Sequence, residues 1–202
     1  MRSAEADKFI KHINSYLGQD DVNVIHSGNP YISNISLLKY PPTEKYPFWK
    51  LVTMGASDFR MPKLPGSLGD RNEYIMFIDP SVDMNDMEVA GWYFGQLVEV
   101  AIYPKMEDVH VTYAHSMEWP ASDDSDMEGA FLEMPQVIDD PGILRCKLGL
   151  MKNVVCLQVV LLTRKEIDSM LKLGQQAFSE YLYPEDGSRP HFLCERYRTE
   201  KF

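Results

Sequence analysis

The sequence predicts an α+β fold: one domain, residues 1–202, built on a mixed, mostly antiparallel sheet covered by about three main helices. Three observations carry this. Strand-like apolar runs and helical stripes are mixed along the chain rather than strictly alternating. Pro and Gly clusters punctuate them at short intervals. No repeat, linker or low-complexity tract divides the 202 residues, and with 45% hydrophobic and 25% charged residues the chain can bury a substantial core. Residues 186–202 read as a C-terminal tail, with Arg196 to Lys201 solvated or loosely docked.

A first helix is expected from Ser3 to Leu17, because Phe9, Ile10, Ile13, Tyr16 and Leu17 recur at helical spacing. Ser3 is placed to cap it and Gly18 to end it. Ile32 to Tyr40 reads as a strand stopped by Pro41 and Pro42, and Trp49 to Met54 and Tyr74 to Asp79 as two more. Between the last two lie a Gly55-Ala56-Ser57 turn and a loop marked by Pro62, Pro65, Gly66 and Gly69.

The second helix shows the clearest period. Met87, Ala90, Gly91, Phe94, Leu97, Val98, Ala101 and Ile102 form one stripe, with Asn85 or Asp83 as cap and Pro104 as stop. Strands follow at Val109 to Ala114, Ala130 to Met134 and Val154 to Leu162, the last apolar enough for a central buried strand. Thr163 and Glu166 have capping-box spacing, and Leu162 with Ile167 can staple the helix start. Ile167, Met170, Leu171, Ala177, Phe178 and Leu182 carry that third helix's apolar face, with Pro184 shortly beyond.

Composition excludes some classes of function. A net charge of -10 argues against nucleic acid, which needs clustered Lys and Arg, and suits a basic protein partner. Cys146, Cys156 and Cys194 are an odd set without CxxC spacing, so free thiols in a reducing, cytoplasmic compartment are expected. The N-terminus lacks the apolar core of a signal peptide, and no run approaches the ~18 apolar residues of a membrane span.

Candidate chemistry is sparse. Gly55-Ala56-Ser57 lacks the second glycine of a nucleophile elbow, since Asp58 and Phe59 follow. A triad of Ser57, His115 and a carboxylate stays open as a hydrolase reading, because triads are set by geometry. Against it stands a turn in which Gly55 permits the bend, Ser57 satisfies local backbone and Glu73 ties the next strand to the loop. His110 and His115 fall on opposite sides of a straight strand, and no cofactor or metal set is expected. Asp124, Asp126, Glu128 and Gly129 match half of a calcium loop, but Pro135 stands where its closing carboxylate belongs. That acidic segment, with Asp123 and the neighbouring Trp119, is instead a candidate surface for Lys or Arg on a partner. Trp119 is expected in the core rather than as an exposed anchor, as are Trp49 and Trp92.

The order of Thr53-Met54-Gly55-Ala56-Ser57, Glu73, Trp92, His115 and the run from Val159 to Ile167 with Thr163, Glu166 and Gly174 resembles the suppressor-of-fused (SUFU) domain family. The resemblance runs from about the first helix to about Leu182. It implies a non-catalytic protein-binding domain, with Gly55, Ser57, Glu73, Trp92, His115, Thr163 and Glu166 as structural motif positions. It further implies a stand-alone bacterial member acting as an immunity protein that neutralises a polymorphic toxin by direct binding. The alternative is a regulatory scaffold for an intracellular protein or peptide. Animal relatives hold a transcription factor between this domain and a further one, a clamp not carried over to a chain of this length.

Overall fold

The computed structural model describes residues 1–26, 34–183 and 191–198. Helix α1 spans Ser3–Leu17 and ends where Gly18 turns left-handed at φ 63°. Strands β1 (Asn23–His26), β2 (Ser36–Tyr40), β3 (Trp49–Met54) and β4 (Asn72–Ile78) follow, with a 3-10 turn at Ala56–Asp58 between the last two. Helix α2 covers Met87–Met106, and β5 (Ser116–Glu118) and β6 (Met127–Glu133) form a hairpin. A 3-10 turn at Pro141–Leu144, β7 (Arg145–Lys147), β8 (Asn153–Thr163), α3 (Arg164–Leu173) and α4 (Gln175–Leu182) complete the order.

All eight strands join one sheet in the order β1-β2-β3-β4-β8-β6-β5, with β7 also on β8. Among the strand pairs of the described residues, β4–β8 alone is parallel. The sheet therefore lies between two apolar layers. Val154, Cys156, Val160 and Leu162 of β8 meet Phe9 and Ile13 of α1 and Ile167 and Phe178 of α3 and α4. Val155, Leu157, Val159 and Leu161 turn to the other face, towards Ala90, Tyr93 and Leu97 of α2. This alternation places β8 in the centre, buried on both faces as its composition predicts.

Several expectations need correction. Arg2, not Ser3, is the N-cap of α1. Helix α2 is capped by Asp86, whose side chain accepts from the Glu88 and Val89 N–H groups, and it runs through Pro104 to Met106. Its buried face includes Tyr93 and Val100, while Met87 is exposed. Residues 109–114 are not a strand: Asp108 (φ 49°) and Ala114 (φ 64°) bend the backbone at either side, and the Val111 N–H faces Met61 Sδ at 3.4 Å. The third helix divides at Gly174 (φ 82°, ψ 163°), leaving Leu171 and Ala177 exposed. Of the strand expected from Ile32, residues 32 and 33 lie outside the described residues, as do Pro184 and Thr199 to Lys201. All three tryptophans are half-buried rather than core.

In the C-terminal segment Phe192, Leu193, Cys194 and Arg198 are buried, while Tyr197 stays exposed. The Cys194 N–H donates to the Phe77 carbonyl at 2.8 Å and the Asp79 N–H to the Cys194 carbonyl at 3.3 Å. Cys194 thus lies where the ends of β4 and β8 part, its thiol 3.5 Å from the Leu161 nitrogen. Cys146 and Cys156 are likewise buried free thiols.

One core group gives a pH prediction. Lys50 is fully buried, with Nζ donating to the carbonyls of Pro41 (2.7 Å) and Tyr46 (3.4 Å) and to Gln19 Oε1 (3.2 Å). Burial without a carboxylate lowers its pKa to about 8. The unfolded chain keeps this proton up to about pH 10.4, so between the two values the unfolded state binds more protons and stability from this group rises with pH. Relative to Lys50→Met, the wild type should gain about 1–2 kcal/mol from pH 7.5 to 9.5 in urea titrations. A flat difference would show that the three acceptors keep Lys50 charged.

Candidate functional site

The turn between β3 and β4 is organised around one carboxylate. Glu73 is fully buried and accepts five hydrogen bonds. Its Oε1 takes the N–H groups of Gly55 (2.8 Å) and Ser57 (3.1 Å) and the Ser57 hydroxyl (2.7 Å). Its Oε2 takes the Thr53 hydroxyl (2.6 Å) and the Ala56 N–H (3.3 Å). Burial raises the Glu73 pKa, and the Thr53, Ser57 and Gly55 donors oppose that rise. Only glycine fits position 55: φ is 119°, and a Cβ there would stand 2.0 Å from the Asn34 carbonyl oxygen. Arg71 closes the turn by donating to the Ser57 carbonyl at 2.7 Å.

This geometry bears on the hydrolase reading. Ser57 is fully buried, and its hydroxyl proton is directed to Glu73 rather than to a histidine. No hydrogen bond among the described residues joins it to His115. His115 packs near the Tyr103 ring, its pKa lowered by burial and by His110. His110 Nδ1 is 2.8 Å from the Pro62 carbonyl oxygen. Among the described residues, no group of three or more His, Cys, Asp or Glu is placed to hold a metal ion.

The acidic segment links β5 to β6 in their hairpin, and its carboxylates are partly met from within. Arg164 donates to Glu118 (2.8 Å) and Glu128 (2.9 Å), binding the two strands to the start of α3. The Arg198 N–H donates to Asp126 Oδ2 at 2.9 Å, and Arg196 Nε to the Asp124 carbonyl at 2.6 Å. Arg196 also lies over the Trp92 ring, 5.7 Å from its centroid. Asp123 is exposed and has no ion pair among the described residues. Trp119 donates Nε1–H to the Met127 carbonyl at 3.0 Å, leaving part of its ring at the surface.

The same network extends inward. Thr163 and Glu166 form the capping box, and Glu166 Oε1 also accepts from buried Arg198 Nη1 at 2.6 Å. Sequence spacing does not join Arg164, Arg196 and Arg198 to this segment, because they lie far along the chain from the carboxylates they meet. The usable signal was the Arg196-Tyr197-Arg198 pair of cations in a chain whose densest acidic run is Asp123 to Glu128.

A mixed, largely antiparallel sheet between helical layers, with a buried carboxylate knot at the β3–β4 connection, defines an α+β domain. The family model for the suppressor of fused protein (SUFU) matches residues 29–191, and the chain belongs to that family, a family of protein-binding domains. Solved structures agree in fold. A chain of a Sufu–Fu complex crystal structure matches with TM-score 0.66 and 14% identity, covering 94% of this chain and 88% of that one. A SUFU homologue from Neisseria gonorrhoeae FA 1090 matches with TM-score 0.63 and 13% identity, covering 94% and 93%. Drosophila Suppressor of Fused matches with TM-score 0.64 and 14% identity over 91% of this chain, which spans about half (48%) of that protein. No curated protein matches the chain.

Proposed function

We propose that this chain is a non-catalytic immunity protein of the cytoplasm that neutralises a cognate toxin domain by direct binding. Membership of the SUFU family over residues 29–191 is the observation that carries the reading. The buried polar groups support it, since Glu73, Ser57 and Thr53 are committed to one another. The hairpin with Trp119, Asp123, Asp124, Asp126 and Glu128 is the surface we put forward for a basic partner. Because Arg164 and Arg196 offset its charge, the carboxylates steer the encounter, and the exposed part of Trp119 supplies apolar contact.

Co-expression with the product of each neighbouring gene tests this. The expected result is protection from toxicity with co-purification of the pair, weakened by Trp119→Ala with Asp123→Lys. Absence of protection against every toxic neighbour would sink the immunity reading. The second reading, a regulatory scaffold for an intracellular protein or peptide, draws support from a similar fold that has been solved as a Sufu–Fu complex. A gene with no toxin-like neighbour favours it.

A further inference from the structure

Beside the Pro- and Gly-rich loop leading into β4 lies a groove of about 660 Å³. One wall is the loop from Lys63 to Asp70, and the other is β7 with the start of β8. Val155 lies in the groove, with Gly69 so close that a Cβ on it would come within 2.8 Å of the Val155 side chain. Leu64, Pro65, Leu68 and Met151 add further apolar surface. Leu64 is 48% exposed, and Leu150 and Met151, on the adjoining turn, are 96% and 94% exposed. Apolar surface therefore continues outward from the groove instead of ending at its rim.

The charges are equally specific. Lys63 stands on the loop wall and Arg145 and Lys147 on the strand wall. All three are exposed, and none has a side-chain ion pair or hydrogen bond among the described residues. The groove's own carboxylate, Asp70, is held by Arg60 at 2.7 Å. A chain of net charge -10 thus carries uncompensated positive charge on both walls here. The acidic hairpin lies at the other end of β8, where Met127 pairs with Thr163, while β7 pairs at residues 153–155.

We infer that this groove docks an extended segment of a partner protein that sets carboxylates against Lys63, Arg145 and Lys147 around a central apolar side chain. Unpaired cations on facing walls select acidic groups, and the apolar lining selects a side chain over a free inorganic anion, which would leave Val155 and Leu68 wet. The inference rests on the protein-binding reading and adds a second surface, of opposite sign to the hairpin.

A displayed library of random peptides of about 12 residues, panned against the intact chain, tests it. Enriched peptides should carry Asp or Glu flanking Leu, Ile or Phe. A fluorescein-labelled representative should bind with an affinity that falls about tenfold or more in Lys63→Glu/Arg145→Glu/Lys147→Glu. The triple Gln variant should fall between, and because these side chains are exposed and unpaired, both variants should melt as the wild type does. Enriched peptides that the Glu variant binds equally well would overturn the groove and leave the protein-binding reading standing. So would enrichment of basic peptides only, or of none, since co-purification with a neighbouring gene product is measured separately. A dimer of the chain alone, dissolved by the Glu variant in sedimentation, would overturn it in favour of a second copy as occupant.

Discussion

Glu73→Gln should lower stability by about 3–4 kcal/mol although it preserves the side chain's shape. The reason is the inventory of donors. Gln replaces one carboxylate oxygen with an N–H donor, and both oxygens face backbone N–H groups: Gly55 and Ser57 at one, Ala56 at the other. Turning the amide over exchanges one collision for another. The Thr53 hydroxyl cannot compensate freely, because its oxygen already accepts the Tyr74 N–H at 2.8 Å. In a chain of this size the melting temperature should fall by about 6–16 °C. Ser57→Ala removes one donor and leaves four, so it should lose only about 1 kcal/mol. Urea unfolding followed by tryptophan fluorescence measures both. A Glu73→Gln loss below that of Ser57→Ala would mean that the carboxyl is protonated in the folded chain and already donates.

What the sequence displayed and what it hid follow a physical division. Features with local causes were legible: the stop of α1 at Gly18, the Thr163–Glu166 box, and β8 as a double-sided apolar run. The two ends of the Gly55–Glu73 knot lie 18 residues apart across the connection between the paired strands β3 and β4, so the pairing that closes that connection also brings them together. Features caused by register were not legible. Strand β1 is mostly exposed and lacks apolar alternation, and pairing with β2 makes it a strand. Strand β7 has three residues, two of them charged, too short to show a period. Residues 109–114 show the converse. Val109, Val111 and Tyr113 alternate as a strand would, but left-handed Asp108 and Ala114 break the backbone.

The candidate surfaces divide in the same way. Asp123 to Glu128 announce an acidic segment, but only the fold reveals that Arg164, Arg196 and Arg198 meet it from 36 to 72 residues away. The basic groove is equally non-local, because Lys63 and Arg145 reach facing walls only through the crossover that places β4 beside β8. Net charge therefore describes neither surface. A chain of -10 presents a partly neutralised acidic hairpin at one end of its central strand and unpaired cations at the other.

Arg198→Met should cost about 3–4 kcal/mol, an effect of the same order reached through charge rather than hydrogen-bond count. Arg198 and Glu166 are both nearly inaccessible, and the guanidinium donates to Glu166 Oε1 at 2.6 Å and to the Leu193 carbonyl at 2.8 Å. Methionine fills much of the volume but leaves Glu166 buried without its cation. That carboxylate cannot simply turn outward, since Oε2 accepts the Thr163 N–H and fixes the start of α3. Adding Glu166→Gln to Arg198→Met should recover part of the loss, because the amide oxygen can keep the Thr163 cap while the stranded charge is removed. The double variant should therefore lose at least about 1 kcal/mol less than the sum of the single losses in a double-mutant cycle. Exact additivity would show that the two residues stabilise independently, and that the C-terminal segment is held by Cys194 on Phe77 and Asp79 rather than by its arginine.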